Sequence, residues 1–124
     1  MTTWIKTLFF IAALYDGLLG VTFLFFAPAI FRSFGVTPPN HFGYVYFPAL
    51  LLIIFAVMFL QISRDPVGNH GLILYGIGLK ASYSGVVFWY QLHGGLPSLW
   101  LPFAWADLLF LVLFAAAWRR TERA

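Results

Sequence analysis

Four long apolar stretches divide the chain, separated by short segments rich in proline, glycine, asparagine and histidine. Each approaches or exceeds the ~20 residues that carry an α-helix across a bilayer. The first runs from about Trp4 to Ser33. Arg32 stands in its last turn, Gly35 is placed to cap it, and Pro38-Pro39 forbids continuation. The second starts after Asn40, which can cap its N-terminus, and runs over about 41–62 with Pro48 inside it as an expected kink. The third opens at Asp65-Pro66, a capping residue followed by a proline in the first helical position, and covers about 66–92 before Gly94-Gly95 stops it. The fourth covers about 98–120. The apolar runs are continuous rather than alternating, which argues against a membrane β-barrel. The expected fold is therefore all-α, a single domain of four transmembrane helices with no internal repeat.

Composition agrees. Of the 124 residues, 62% are hydrophobic, 21% aromatic and 9% charged. A soluble domain carries roughly 25% charged residues, and so short a chain has too small an interior to hide this much apolar surface. The solvent that suits it is lipid. The absence of cysteine removes disulfide, thiol-redox and iron–sulfur chemistry. The net charge of +3 does not indicate a nucleic-acid partner, because the basic residues form no stripe and mostly mark helix ends. Lys6 and the apolar run after it resemble a signal peptide, but Asp16 interrupts the run and no small-residue cleavage site follows, so a spanning helix is the better reading.

Orientation follows from the distribution of Lys and Arg. With the N-terminus cytoplasmic, that side holds Lys6, Arg64, Arg119, Arg120 and Arg123, and the opposite side holds Arg32. Both termini are expected on the cytoplasmic side, in a bacterial inner membrane. Trp4 and Trp118 then form the inner aromatic belt, and Tyr44, Tyr46, Trp89, Tyr90 and Trp100 the outer one.

Three charged residues fall inside the spans: Asp16, Lys80 and Asp107. A charge at the bilayer centre costs ~2.5–3.5 kcal/mol on insertion scales, so such groups face the bundle interior and pair. Asp16 lies ten residues beyond Lys6, Lys80 ten beyond His70, and Asp107 twelve before Arg119. At a rise of ~1.5 Å per residue each is ~15–18 Å from its boundary marker, near the middle of a ~30 Å hydrocarbon core. Three helices thus bring charge to one plane. Ala12, Ala13, Gly17 and Gly20 give the first helix a close-approach stripe. Gly76 and Ser84 share a face with Lys80, Tyr83 stands beside them, and Phe103, Phe110 and Phe114 flank Asp107. The third helix is the most polar and is expected to be central; the second is expected to supply packing and lipid contact. Fully ionised, the trio carries −1. Either one Asp holds or shares a proton, or a ligand, water chain or partner supplies the balance.

The trio has three readings: a register lock between helices, a site for a ligand, proton or ion, or a contact to a partner subunit. Around it, Tyr83 and Trp105 suggest a flat apolar slot suited to a quinone or lipid ring, or else ordinary core. His41, His70 and His93 lie at opposite surfaces and are expected to be interfacial and solvated rather than a haem or metal site. The loop 34–41 reads as a rigid connector, or as a lid over the outer end. No nucleophile triad, phosphate loop or metal-binding helix motif appears.

The short four-helix layout, with Tyr15-Asp16-Gly17-Leu18-Leu19-Gly20 in the first helix, resembles the DoxX-like group of small membrane proteins. That resemblance implies a role near a respiratory chain, since some members are associated with quinone-linked sulfur oxidation; it carries over no catalytic residue. The acidic residue in helix 1 is also similar to that of the small multidrug resistance transporters. Lys80, Asp107 and the one-sided basic charge depart from that pattern. The leading expectation is a non-enzymatic membrane module, either an accessory subunit or a binder of a lipid or quinone. No cofactor is required, and a larger complex or homo-oligomer is the expected partner. The alternatives are a proton-coupled carrier and a membrane subunit of a quinone-linked redox complex.

Overall fold

The same stretches that read as apolar fold as helices in the computed structural model, which describes residues 3–122. The elements are α1 (Thr3–Ser33), α2 (Gly43–Arg64), α3 (His70–Leu92) and α4 (Leu101–Arg120), the last entered through a single 3₁₀ turn at Ser98–Trp100. All four are long and apolar enough to cross a membrane. Large apolar side chains also cover the outer surface: Phe25, Phe26, Ile54, Leu109 and Val112 are each 60% or more exposed. A coat of this kind is unstable in water and suits a lipid-facing surface. The chain is an integral membrane bundle.

The helix ends show where local chemistry agreed with the sequence and where it did not. Gly35 adopts φ +65°. The Val36 amide donates to the Phe31 carbonyl at 2.8 Å and the Gly35 amide to Arg32 at 3.2 Å, which is the Schellman closure expected of glycine at that position. α2 begins at Gly43, not after Asn40. Its first turn takes its acceptor from His41, whose Nδ1 receives the Gly43 N–H at 2.9 Å. α3 begins at His70 rather than at Asp65-Pro66. Asp65 does cap, but it caps a tight turn: its Oδ1 accepts the Gly68 N–H at 3.0 Å, while the Asn69 amide group donates back to the Gln61 and Asp65 carbonyls. Those bonds hold the chain in a turn for several residues before a helix can start. Pro48 lies within α2 and Pro28 within α1, each removing one backbone donor without ending its helix.

Contacts between helix ends fix the arrangement. The Ser63 hydroxyl donates to the Lys6 carbonyl at 2.7 Å, and His70 Nδ1 pairs with the Thr121 hydroxyl at 2.7 Å. The start of α1, the α2–α3 turn and the end of α4 therefore lie together at one end of the bundle, the terminal end. Loops 34–42 and 93–97 lie at the other, the loop end. Lys6, Arg64, Arg119 and Arg120 are at the terminal end; Arg123, counted with them, is outside the described residues. His70 is not simply solvated, because its ring stacks on Trp118 at 3.6 Å between centroids. His41 and His93 are exposed and bond to nearby backbone.

Backbones approach closely within two antiparallel hairpins, α1–α2 and α3–α4, and the hairpins meet mainly through side chains. In the α1–α2 hairpin, Gly20 faces the Ala49 carbonyl and Gly17 faces Ala56. α1, not α3, is the central helix: ten of its residues are buried, against five in α3. Its small residues let α2 seat directly on its backbone, whereas α3 presents more of its length to lipid. Two apolar cores result. One, around Phe9, Phe59, Ile73 and Phe114, fills the terminal half. The other, around Phe23, Ala27, Phe31 and Leu99, fills the loop half. Trp100 packs into this second core against Phe23 and Phe31, so it is an internal plug rather than part of the outer aromatic belt.

Candidate functional site

Between the two cores lies the charged layer. Lys80 reaches from α3 with its side chain fully buried, and its ammonium donates to Asp16 Oδ1 at 2.8 Å, Asp16 Oδ2 at 3.0 Å and Asp107 Oδ1 at 3.0 Å. The equal depth computed from the helical rise is thus realised as a direct ion triad joining α1, α3 and α4. Every polar contact of the ammonium is thus to a carboxylate oxygen, two of them to the two oxygens of Asp16. The methylene stem and ammonium also lie among aromatic rings, with Nζ at 4.9 Å from the Phe110 centroid, 5.3 Å from Tyr15 and 5.8 Å from Phe59. Such ring faces attract a desolvated cation. They contribute to holding the charge in a region that offers no bulk water.

The two carboxylates of the triad, Asp16 and Asp107, form the floor of a cavity of about 340 Å³ in the loop half of the bundle, with the Lys80 ammonium buried behind them. Asp16, Leu19 and Phe23 line it from α1, and Leu79 and Tyr83 from α3. Trp100, Phe103 and Asp107 close it from the α4 side. The α2 wall is the longest, running from Tyr44 and Val45 through Pro48 and Ala49 to Leu51 and Leu52. Apart from the floor the lining is almost wholly apolar. This is the usual composition of a small-molecule site, a greasy enclosure with a few convergent polar groups.

The expected site residues divide clearly. Asp16, Lys80 and Asp107 come together. Tyr83 lines the cavity and its hydroxyl donates to the Trp100 carbonyl at 2.9 Å, tying α3 to the start of α4. Ser84 is buried on the Lys80 face, but its hydroxyl donates to the Lys80 carbonyl at 2.6 Å and offers that proton to nothing else. Gly20 and Gly17 act at the α1–α2 contact, and Gly76 lies under Phe59 and Phe114 in the terminal core; none of the three touches the ion triad. Trp105 does not line the slot with Tyr83. It is 61% exposed and packs edge-on against Phe88 at the lipid surface. The reason is helical phase: at 3.6 residues per turn, two residues amount to roughly 200°, so Trp105 points away when Asp107 points inward.

Two features were missed. Tyr15 neighbours Asp16, yet its ring packs on Phe110 at 5.4 Å and flanks the Lys80 ammonium. The α2 wall was also missed, because helix 2 carries no charge. The signal for it was the pair Ala49 and Ala56, small residues seven apart in an otherwise bulky helix, opposite Gly20 and Gly17.

Among the described residues no group of three or more His, Asp or Glu side chains is placed to hold a metal ion. Comparison with protein-family models, with curated proteins and with solved structures gave no match.

Proposed function

We propose that this protein is a non-enzymatic membrane module that binds one lipophilic small molecule between its two hairpins, with the polar end of that molecule on the floor formed by Asp16 and Asp107 of the ion triad. The cavity carries this reading. A charged triad serving only to lock helix register has no need of an apolar chamber beside it, since a void there forfeits packing contacts without pairing any charge. Here Asp107 is both a member of the triad and part of the cavity wall. The four-to-one distribution of described basic residues between the terminal and loop ends supports placing both termini in the cytoplasm and the loop end outside. The two hairpins meet mainly through side chains, so the seams between them are the routes by which a single-chain lipid or a quinone enters from the bilayer. The DoxX-like resemblance supports a place beside a larger membrane complex, with the bound molecule as what the two share.

Narrowing the cavity tests this. Val45 is half-buried on the α2 wall, and Val45→Trp puts an indole into the space without touching the triad. Isolation in mild detergent followed by mass spectrometry of the extracted small molecules is expected to find a lipophilic compound with the parent protein, and several-fold less of it with the variant. Equal recovery from both proteins would place the compound on the outer surface and remove the proposal.

A further inference from the structure

Taking the cavity reading above as the starting point, we infer that its ligand is a lipophilic amine bound as its ammonium, rather than a quinone or an anionic lipid. The inference rests on which hydrogen-bonding groups around the floor are still free. The polar contacts of the Lys80 ammonium all go to carboxylate oxygens. The Tyr83 hydroxyl proton goes to the Trp100 carbonyl. The other donors on the wall are the Tyr44 hydroxyl and the Trp100 indole N–H. Tyr44 lies eight residues up α2 from Leu52, and Trp100 seven residues before Asp107, so each sits roughly 10–12 Å above the floor. A further donor, the Tyr15 hydroxyl, is buried beside the triad without a partner among the described residues, but Tyr15 does not line the cavity. The floor thus presents a ligand with no donor beyond the Lys80 ammonium already held by carboxylates.

What it has is an acceptor. Asp107 is only 7% exposed, its Oδ1 is taken by Lys80, and its Oδ2 has no partner among the described residues although the side chain faces the cavity. A carboxylate oxygen that opens onto an apolar cavity without a donor is poorly solvated, and a ligand that supplies the donor recovers free energy. The charge count points the same way. With both carboxylates ionised, one ammonium between them leaves −1 in the layer, and a second ammonium brings it to zero. A quinone presents carbonyl oxygens, which are acceptors only. A fatty acid or phospholipid phosphate presents acceptors and a negative charge. Neither matches a floor that already has surplus of both. A primary ammonium on an apolar body supplies the missing proton donor and the missing charge, and its body lies against Phe23, Phe103 and Leu79.

Isothermal titration with the protein in nanodiscs, corrected for partition into empty nanodiscs, tests this with three probes: 4-phenylbutylammonium, 4-phenylbutanoate and decylubiquinone. The ammonium is expected to bind at least about tenfold more tightly than either of the others, the factor that one charge-assisted hydrogen bond sustains. Asp107→Asn, which keeps shape but removes the charge, is expected to erase that margin, and Val45→Trp to weaken whatever binds in the cavity. If the carboxylate or the quinone binds as tightly as the ammonium and is weakened by Val45→Trp, the amine inference fails and the cavity reading stands. If no probe responds to Val45→Trp, both fail. Because the comparison of probes is made on the parent protein, the inference is decided even if Asp107→Asn does not fold.

Discussion

Lys80→Met is expected to cost the bundle about 3–5 kcal/mol, the penalty of removing one partner from a buried ion pair and leaving the other uncompensated. Methionine matches the length of the lysine stem and packs among Tyr15, Phe59 and Phe110, so the loss is of charge rather than volume. Two carboxylates then share a dry layer with no cation between them. Membrane domains of this size have little stability to spare, so the expected observation is a sharp fall in the yield of folded protein and a large drop in Tm in detergent. Adding Asp16→Asn and Asp107→Asn to Lys80→Met removes the stranded charges together, and folding is expected to recover. A triple variant as unstable as the single one would mean that lysine acts through its packing alone. A single variant as stable as the parent would mean that the ion triad contributes nothing to the fold.

The second large effect is at the α1–α2 contact. A Cβ at Gly20 would lie 2.7 Å from the Ala49 carbonyl oxygen and 2.9 Å from Ile53 Cγ1. The first of these is backbone and cannot swing aside, so α2 has to move off α1. Overpacking of this kind costs about 1–3 kcal/mol. Gly17→Ala is the control on the same helix, because its Cβ meets Ala56 Cβ at 3.4 Å, an ordinary van der Waals contact. Thermal unfolding in detergent is expected to show Gly20→Ala well below the parent and Gly17→Ala close to it. Equal behaviour of the two would show that the hairpin is looser than its geometry implies. The effect reaches the cavity, since Ala49, Leu52 and the α1 residues at its wall are positioned by the same seam.

These two sites also show what was legible beforehand. The depth of Asp16, Lys80 and Asp107 was readable because helical rise is nearly constant and the interface leaves basic and aromatic markers from which to count. Three intramembrane charges with a mixed sign have few options other than to meet. The helical phase of Trp105 was equally computable, but its aromatic character outweighed its angle in the reading, and the structure places it in lipid. Helix 2 was harder. Its role as the longest wall depends on Gly20 admitting Ala49 to the α1 backbone, a tertiary fact with only a faint trace in the seven-residue spacing of Ala49 and Ala56. Trp100 likewise carries the composition of an interfacial anchor. It becomes an internal plug because Phe23 and Phe31 leave a ring-sized space and Tyr83 bonds to its carbonyl. Which oxygens Lys80 contacts, and which is left open to the cavity, is a matter of ångströms that no spacing rule contains.

One ammonium holds two carboxylates from different helices at the floor of the cavity. Dipolar-recoupling solid-state NMR in lipid bilayers measures this directly, because the chain has only two lysines and three aspartates to label. With Lys6 replaced by arginine and Asp65 by asparagine, the remaining ¹⁵N ammonium and the two ¹³C carboxyls are those of the triad. Strong dephasing of the Lys80 Nζ signal by both carboxyl carbons, at ion-pair distance, is the expected result. Coupling to one carboxyl alone, or to neither, would contradict it.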